Sequence, residues 1–300
     1  MYYLNPINDL VFKKLFGTEA NKDLLISFLN GILERKGDEL ITDVSFTNPY
    51  NHQPSALLKV TIVDVRCTDK AGNNYIVEMQ VDPQSDYLAR CHYYTACGLS
   101  LQLKEGDAYE KLLPVIFIGI ANFTLFSDHD RCVSHYRLLD SVDHVCRLHH
   151  EEYHFIELKK FKKSIDQLVG ISDKWIYFLR HATDYETPPQ QLQKTQPLVK
   201  AFDVLERGRW TKQELEMYEK FVDARRIEAS KLKTATAMGK AMGKEEGLII
   251  GEEKGLIKGK KEGVITVAKE MLSHNCELAL ICKVTGLSKE EVEALKNKGK

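Results

Sequence analysis

At 300 residues, 43% hydrophobic and 28% charged, the chain is long enough to bury a sizeable core and has the composition of a soluble globular protein. A formal charge of −1 gives no global attraction to nucleic acid and counts mildly against a protein that coats it, so any contact with DNA must come from local basic patches. The seven cysteines are scattered without a C-x-x-C pair, which reads as reduced thiols rather than a disulfide framework.

In chain order, Met1 to Pro6 shows no basic segment leading into an apolar run, so no signal peptide is expected. Thr18 or Asn21 could cap a helix over 22–34, whose apolar residues Leu24, Leu25, Phe28, Leu29 and Ile32 recur at helical spacing before Gly37. Two β-like runs follow, Leu57 to Thr68 and Tyr75 to Val81, joined by Asp69-Lys-Ala-Gly-Asn-Asn74. A helix over 85–102 leads to the apolar run 113–123, read as a buried strand. That run contains Pro114 and is too short to cross a bilayer, so the expectation is a cytoplasmic protein with no membrane partner. Further strands are expected over 132–139 and 144–158, and helix over 159–181 until Pro188-Pro189. Thr211-Lys-Gln-Glu214 and Ser288-Lys-Glu-Glu291 each fit the capping box that opens a helix.

The chemistry concentrates on the two joined strands. A three-residue loop of Lys70, Ala71 and Gly72, with glycine left-handed, pairs residues whose numbers sum to 142 and sets Asp64 opposite Glu78. Alternation puts Asp64 and Arg66 on one face, with Val63 and Val65 on the other. Glu78 shares its own face with Ile76 and Gln80. Directly opposed β-carbons lie about 4.5–5.5 Å apart, so the two carboxylates repel unless a cation lies between them. Mg²⁺ suits such a pair, since it takes one or two carboxylates, keeps waters and accepts phosphate oxygens. The Met79 carbonyl is a plausible additional metal ligand. D-x13-E-x-Q alone is weak, because an Asp and a Glu on a hairpin are more often solvated edge charges.

Context adds to the motif. The stretches Asn5-Pro-Ile-Asn-Asp-Leu-Val-Phe-Lys-Lys-Leu-Phe-Gly17, Val63-Asp-Val-Arg66, Tyr75-Ile-Val-Glu-Met-Gln80 and Arg90 to Tyr94 together resemble the PD-(D/E)XK nuclease family transposases, also called recombination-promoting nucleases. The resemblance implies an α/β, restriction-endonuclease-like core with a mostly helical C-terminal region. It also implies DNA as substrate, a link to recombination or mobile elements, and Asp64 and Glu78 as ligands of Mg²⁺ or Mn²⁺. The general motif carries lysine where this chain has Gln80, as this branch commonly does. A neutral amide can orient water but adds no charge, so a slower enzyme, or one leaning more on metal, is expected. The rival reading is a non-catalytic DNA- or protein-binding scaffold on the same fold.

Lys13 and Lys14 fit either a solvated helix face between Phe12 and Phe16 or phosphate contacts beside the cleft. Arg90 divides in the same way; these three are the candidate DNA-binding residues, and Tyr93 is expected to pack on the sheet. His129, Cys132, His135, His144, Cys146, His149, His150 and His154 form a His/Cys-rich stretch whose spacing fits no standard zinc finger, so exposed strand histidines are expected. Glycine recurs every fourth residue from Gly239 to Gly263. The period is strict and strong helix formers intervene, which reads as a self-associating helix and a homo-oligomer rather than a linker. The expected divisions are 1–158 nuclease-like, 159–237 helical, 238–263 glycine-periodic and 264–300 a small helical tail.

Overall fold

The computed structural model describes residues 2–47, 50–51 and 61–297. Asn8 opens α1 (Asp9–Phe16), its side-chain oxygen accepting the Leu10 N–H at 3.1 Å, as a residue before a helix must if the first donors are to be satisfied. α2 (Lys22–Ile32) buries the expected stripe of Leu24, Leu25, Phe28, Leu29 and Ile32. Short strands β1 (Val44–Phe46), β2 (Tyr50–Asn51) and β3 (Thr61–Ile62) precede the hairpin of β4 (Val65–Asp69) and β5 (Asn74–Gln80). Next come α3 (Tyr87–Ser100), β6 (Val115–Ala121), β7 (Val133–Leu138) and β8 (Leu148–Glu157). The remaining helices are α4 (Ile171–His181), α5 (Gln190–Gln193), α6 (Gln196–Leu205), α7 (Lys212–Ser273), α8 (Leu278–Thr285) and α9 (Lys289–Asn297).

Six strands form one mixed sheet in the order β1-β4-β5-β6-β8-β7, and β2 pairs with β3 apart from it. β5, β6 and β8 run parallel at the centre; β4 and β7 flank them antiparallel, with β1 antiparallel to β4. β6 is buried at every position because its two faces serve two cores, which is why it reads as continuous apolar sequence. Ile116, Ile118 and Ile120 join the larger core with α1, α2, α4 and α6, while Val115, Phe117 and Ala121 pack with Tyr87 and Cys91 of α3. Phe16, Phe28, Trp175 and Phe178 anchor the larger core, with ring centroids 5.0–6.0 Å apart. Each such buried ring contributes on the order of 1.5–3 kcal/mol.

The chain divides into two compact units, Met1–Asp223 and Ala224–Lys300. In the first, α4 and α6 share the core of α1 and α2, so the division expected at residue 158 does not separate two cores. In the second, Ala268, Ile281 and Val292 form a small core of their own. Gly286 closes α8 with φ 72°, and Ser288 and Glu291 exchange the two capping-box hydrogen bonds at 2.9 and 3.2 Å. The Thr211–Glu214 box opens α7 in the same way. No helix among the described residues is long and apolar enough to cross a membrane.

Three expectations are corrected. Residues 57–60 of the strand read over 57–68 lie outside the described residues, and the rest is broken: Thr61–Ile62 pair with β2, and Val63 and Asp64 leave the ladder before β4 starts. Regular alternation would put Val63 and Val65 in one core. Instead Val63 packs under α3 with Ile76, and Val65 lies in the larger core, so the bend turns the chain over between them. The helix read over 159–181 is α-helical only from Ile171, after 3-10 turns at Leu158–Lys160 and Ile165–Gln167. The strand read over 144–158 starts at Leu148, and His154 is buried, its ring tilted against that of its cross-strand neighbour His135 with centroids 4.3 Å apart, because it shares its face with Ile156 of the larger core.

Candidate active site

The hairpin adopts the register summing to 142, from Val65↔Val77 to Thr68↔Asn74. Gly72 takes φ +88° at the turn and donates to the Asp69 carbonyl at 3.0 Å, a conformation that glycine alone enters without strain. Continued regularly, that register would offer the Met79 N–H to the carbonyl of Val63. The bend at Val63-Asp64 instead brings the Asp64 carboxylate into that place, where Oδ2 accepts the Met79 N–H at 2.9 Å. In return the Asp64 N–H donates to Glu78 Oε2 at 3.0 Å. The two acids are thus locked together by main-chain donors. The Met79 carbonyl projects to the same strand edge as its N–H, beside Asp64.

Burial is the main cause of the electrostatics here. It pushes both carboxyls above the ordinary carboxylate range, and for Glu78 the neighbouring Asp64 charge pushes further. The Met79 N–H and the Lys13 ammonium pull Asp64 part of the way back. Lys13 Nζ lies 3.3 Å from Asp64 Oδ1, with its side chain half exposed. Arg90 and Lys13 also pull Glu78 back, yet burial leaves its carboxyl raised, so the desolvated pair remains under-neutralised, and a divalent cation fits that deficit. Among the described residues no group of three or more His, Cys, Asp and Glu side chains is placed to hold a metal. The side chains here that could hold a cation are the carboxylates of Asp64 and Glu78.

Gln80 ends β5 and is held at both ends of its amide. Its Nε2 donates to the Asp82 carbonyl at 2.9 Å, and its Oε1 accepts from Arg90 Nη2 at 2.7 Å. Arg90, projecting from α3, also donates to Gln84 Oε1 at 2.6 Å and lies over the Tyr87 ring. The position where the motif carries a lysine thus holds an amide that fixes a guanidinium.

Asp64, Glu78, Met79, Gln80, Arg90 and Lys13 are brought together. Lys14 is not: it pairs with Glu214 at 2.6 Å and sits 3.9 Å over the Trp210 ring, because one step along α1 turns a side chain by about 100°. Tyr93, expected to pack on the sheet, is exposed, while its neighbour Tyr94 packs against the core under α3. Sequence reasoning missed Asp9. It lies in the first turn of α1, and its charge raises the Asp64 carboxyl. The signal was its i, i+4 spacing to Lys13, which sets both on one helix face.

A family model described as PD-(D/E)XK nuclease family transposase matches residues 6–235 of the 300. No curated protein and no solved structure matches the chain.

Proposed function

The chain belongs to the PD-(D/E)XK nuclease family transposases, and from that premise we propose that it is a cytoplasmic DNA endonuclease dependent on Mg²⁺ or Mn²⁺, linked to recombination or mobile elements. The observation that carries the reading is the buried pair Asp64–Glu78, cross-linked by main-chain hydrogen bonds and short of positive charge. Asp64, Glu78 and the Met79 carbonyl would hold the cation. Bound there, it supplies the positive charge that polarises a phosphodiester and makes water a better nucleophile. Gln80 orients the attacking water through its amide, which its bonds to Asp82 and Arg90 hold in one orientation. Arg90 brings to the cleft the charge that the amide lacks, and Lys13 brings a second cation that can exchange Asp64 for a DNA phosphate. Lys14, engaged elsewhere, has no part in it.

The partner of the second unit, on this reading, is another copy of the chain. Every residue from Arg226 to Gly263 is exposed, including Leu248, Ile249, Ile250, Leu256 and Ile257. An isolated helix so rich in glycine lacks the packing that stabilises most helices.

Plasmid nicking tests the activity. Supercoiled DNA should be nicked or linearised with Mg²⁺ or Mn²⁺ and left intact in EDTA. A chain that binds DNA and never cleaves it with either ion would be the non-catalytic scaffold instead.

A further inference from the structure

A basic pocket lies on the same face of the sheet as the carboxylate pair and at the same end of its parallel strands. β5, β6 and β8 are parallel and in step, so Glu78, Gly119 and Phe155 form one row and Gln80, Ala121 and Glu157 the next. Side chains in a row share a face, and Ala121 and Phe155 pack under α3, the side of the acids. At about 4.8 Å per strand, the Glu157 column stands about 10 Å from the Gln80 column.

Glu157 is fully buried and fastens the loop that follows β6. Its Oε1 accepts the Leu125 and Phe126 N–H groups at 2.6 and 3.1 Å. Lys160 ion-pairs with Glu157 at 2.8 Å and donates to the Phe126 carbonyl, so its charge is already matched. The fastened loop and the segment after β8 enclose a cavity of about 500 Å³, lined among others by Thr124, Ser127, His129, Asp130, Lys159 and Lys162. Lys159 and Lys162 are exposed and, among the described residues, no salt bridge or hydrogen bond engages their ammonium groups. His129 has a buried Nδ1 without a hydrogen-bond partner among the described residues. Against two available ammoniums, two hydroxyls and an imidazole stands one carboxylate, Asp130. That balance favours an anion.

We propose that this pocket holds a backbone phosphate of the DNA strand, a few nucleotides from the bond that is cut. The proposal rests on the nuclease reading. A duplex carries one phosphate per 3.4 Å of axis on each strand, so a pocket beyond the Glu157 column, itself about 10 Å from the Gln80 column, meets the backbone at least about three phosphates from the acids. Such a contact sets the register of the substrate in the cleft and reads no base. The held loop matters here, because a pocket already in place need not be ordered when DNA arrives.

The test is binding of a labelled short duplex to the full chain in EDTA, where cleavage is off, across a series of salt concentrations. Each phosphate neutralised contributes about 0.9 to the slope of log K against log salt. Lys159→Ala with Lys162→Ala should lower that slope by about one and weaken binding several-fold, and Lys159→Arg with Lys162→Arg should restore both. Lys70→Ala, in the β4–β5 turn at the opposite end of the strands, should match the parent. If the parent binds and the double alanine variant keeps its slope and affinity, the pocket is not a phosphate site, while the nuclease reading stands. If the parent binds no DNA at any salt concentration, either in EDTA or with Ca²⁺ in its place, both fall. Equal losses in the Lys70 variant would show general charge attraction and overturn the pocket.

Discussion

Glycine behaves differently in the two units. In the sheet-bearing unit several glycines are explained by their neighbours, while Gly37, Gly106, Gly170 and Gly208 meet nothing within 4 Å among the described residues. A Cβ at Gly31 would press on Ile171, one at Gly98 on Val115, and one at Gly119 on the Tyr87 hydroxyl and the Phe155 ring. From Gly239 to Gly263 a Cβ at any of the seven glycines would meet nothing within 4 Å. Each of these costs about 1 kcal/mol relative to alanine in a helix interior, and no contact among the described residues offsets it. The contrast separates residues selected by packing inside one chain from residues whose reason lies outside it. For the second group, close approach of another helix backbone is the physical use of a missing side chain. A four-residue period overshoots the 3.6-residue turn by about 40° per step, so such contact is either short or follows a right-handed coil.

The largest effect should confirm that chemistry belongs to the first region alone. Asp64→Ala and Glu78→Ala should each reduce plasmid nicking by about a thousandfold or more, the several kcal/mol that charge stabilisation by a metal is worth, with circular dichroism unchanged. Gly251→Ala should nick at the parent's rate. Nicking at the parent's rate by either acid variant would remove the assignment of the site.

Next in size is Gln80→Ala. It should slow cleavage by about a hundredfold, the scale on which misplacing a reacting group costs rate. Gln80→Lys is a sharper probe, because the new ammonium would face the Arg90 guanidinium that Gln80 now accepts from. It should fall below the parent, and recover in part when combined with Arg90→Gln. Single-turnover rates of the three variants equal to the parent's would show that Gln80 only packs.

The glycines themselves can be compared by denaturation. Gly119→Ala overpacks a tight site and should cost about 1–3 kcal/mol. Gly251→Ala should gain about 1 kcal/mol of helix stability per chain while weakening assembly. Sedimentation should show the intact chain as an oligomer and a chain ending at Ala237 in a smaller state. Identical species from both would mean that this segment does not hold copies together, and the contrast between the two sets of glycines would need another cause.

The last expected effect is on pH. Glu78 is pushed up to about 8, by burial first and then by Asp64, against about 4.3 for an unfolded glutamate. Between those values the folded chain binds more proton than the unfolded chain, so metal-free stability should fall as pH rises from about 4.3 to about 8. Thermal melts in EDTA should show that decline, and Glu78→Gln should flatten it. A melting temperature that rises over the same window in the parent would contradict the burial of an under-neutralised acid.

Much of the first region was legible in the chain because its signals are local. The stripe Leu24–Ile32 and the Thr211–Glu214 capping box depend on spacings of three and four residues. The hairpin register depends on a loop of three residues and a glycine with positive φ. Those spacings predicted Asp64 beside Glu78. They did not predict that Asp64 would reach its partner by leaving the strand, since the bend at Val63-Asp64 answers to two cores on opposite faces of the sheet.

By itself, then, the sequence determined the elements, the hairpin and the pair of acids, because backbone geometry and side-chain period are properties of neighbouring residues. The tertiary structure decided which charges attend them. Lys13 and Lys14 are equivalent as text, yet the docking of α1 sends one to Asp64 and the other to Glu214 and Trp210. Arg90 meets Gln80 only because α3 lies over the end of β5. Glu157 shares a row with Gln80 only because three strands run parallel and in step. Such placements follow from packing whole elements, whose energies are summed over many distant contacts and leave no local pattern to read.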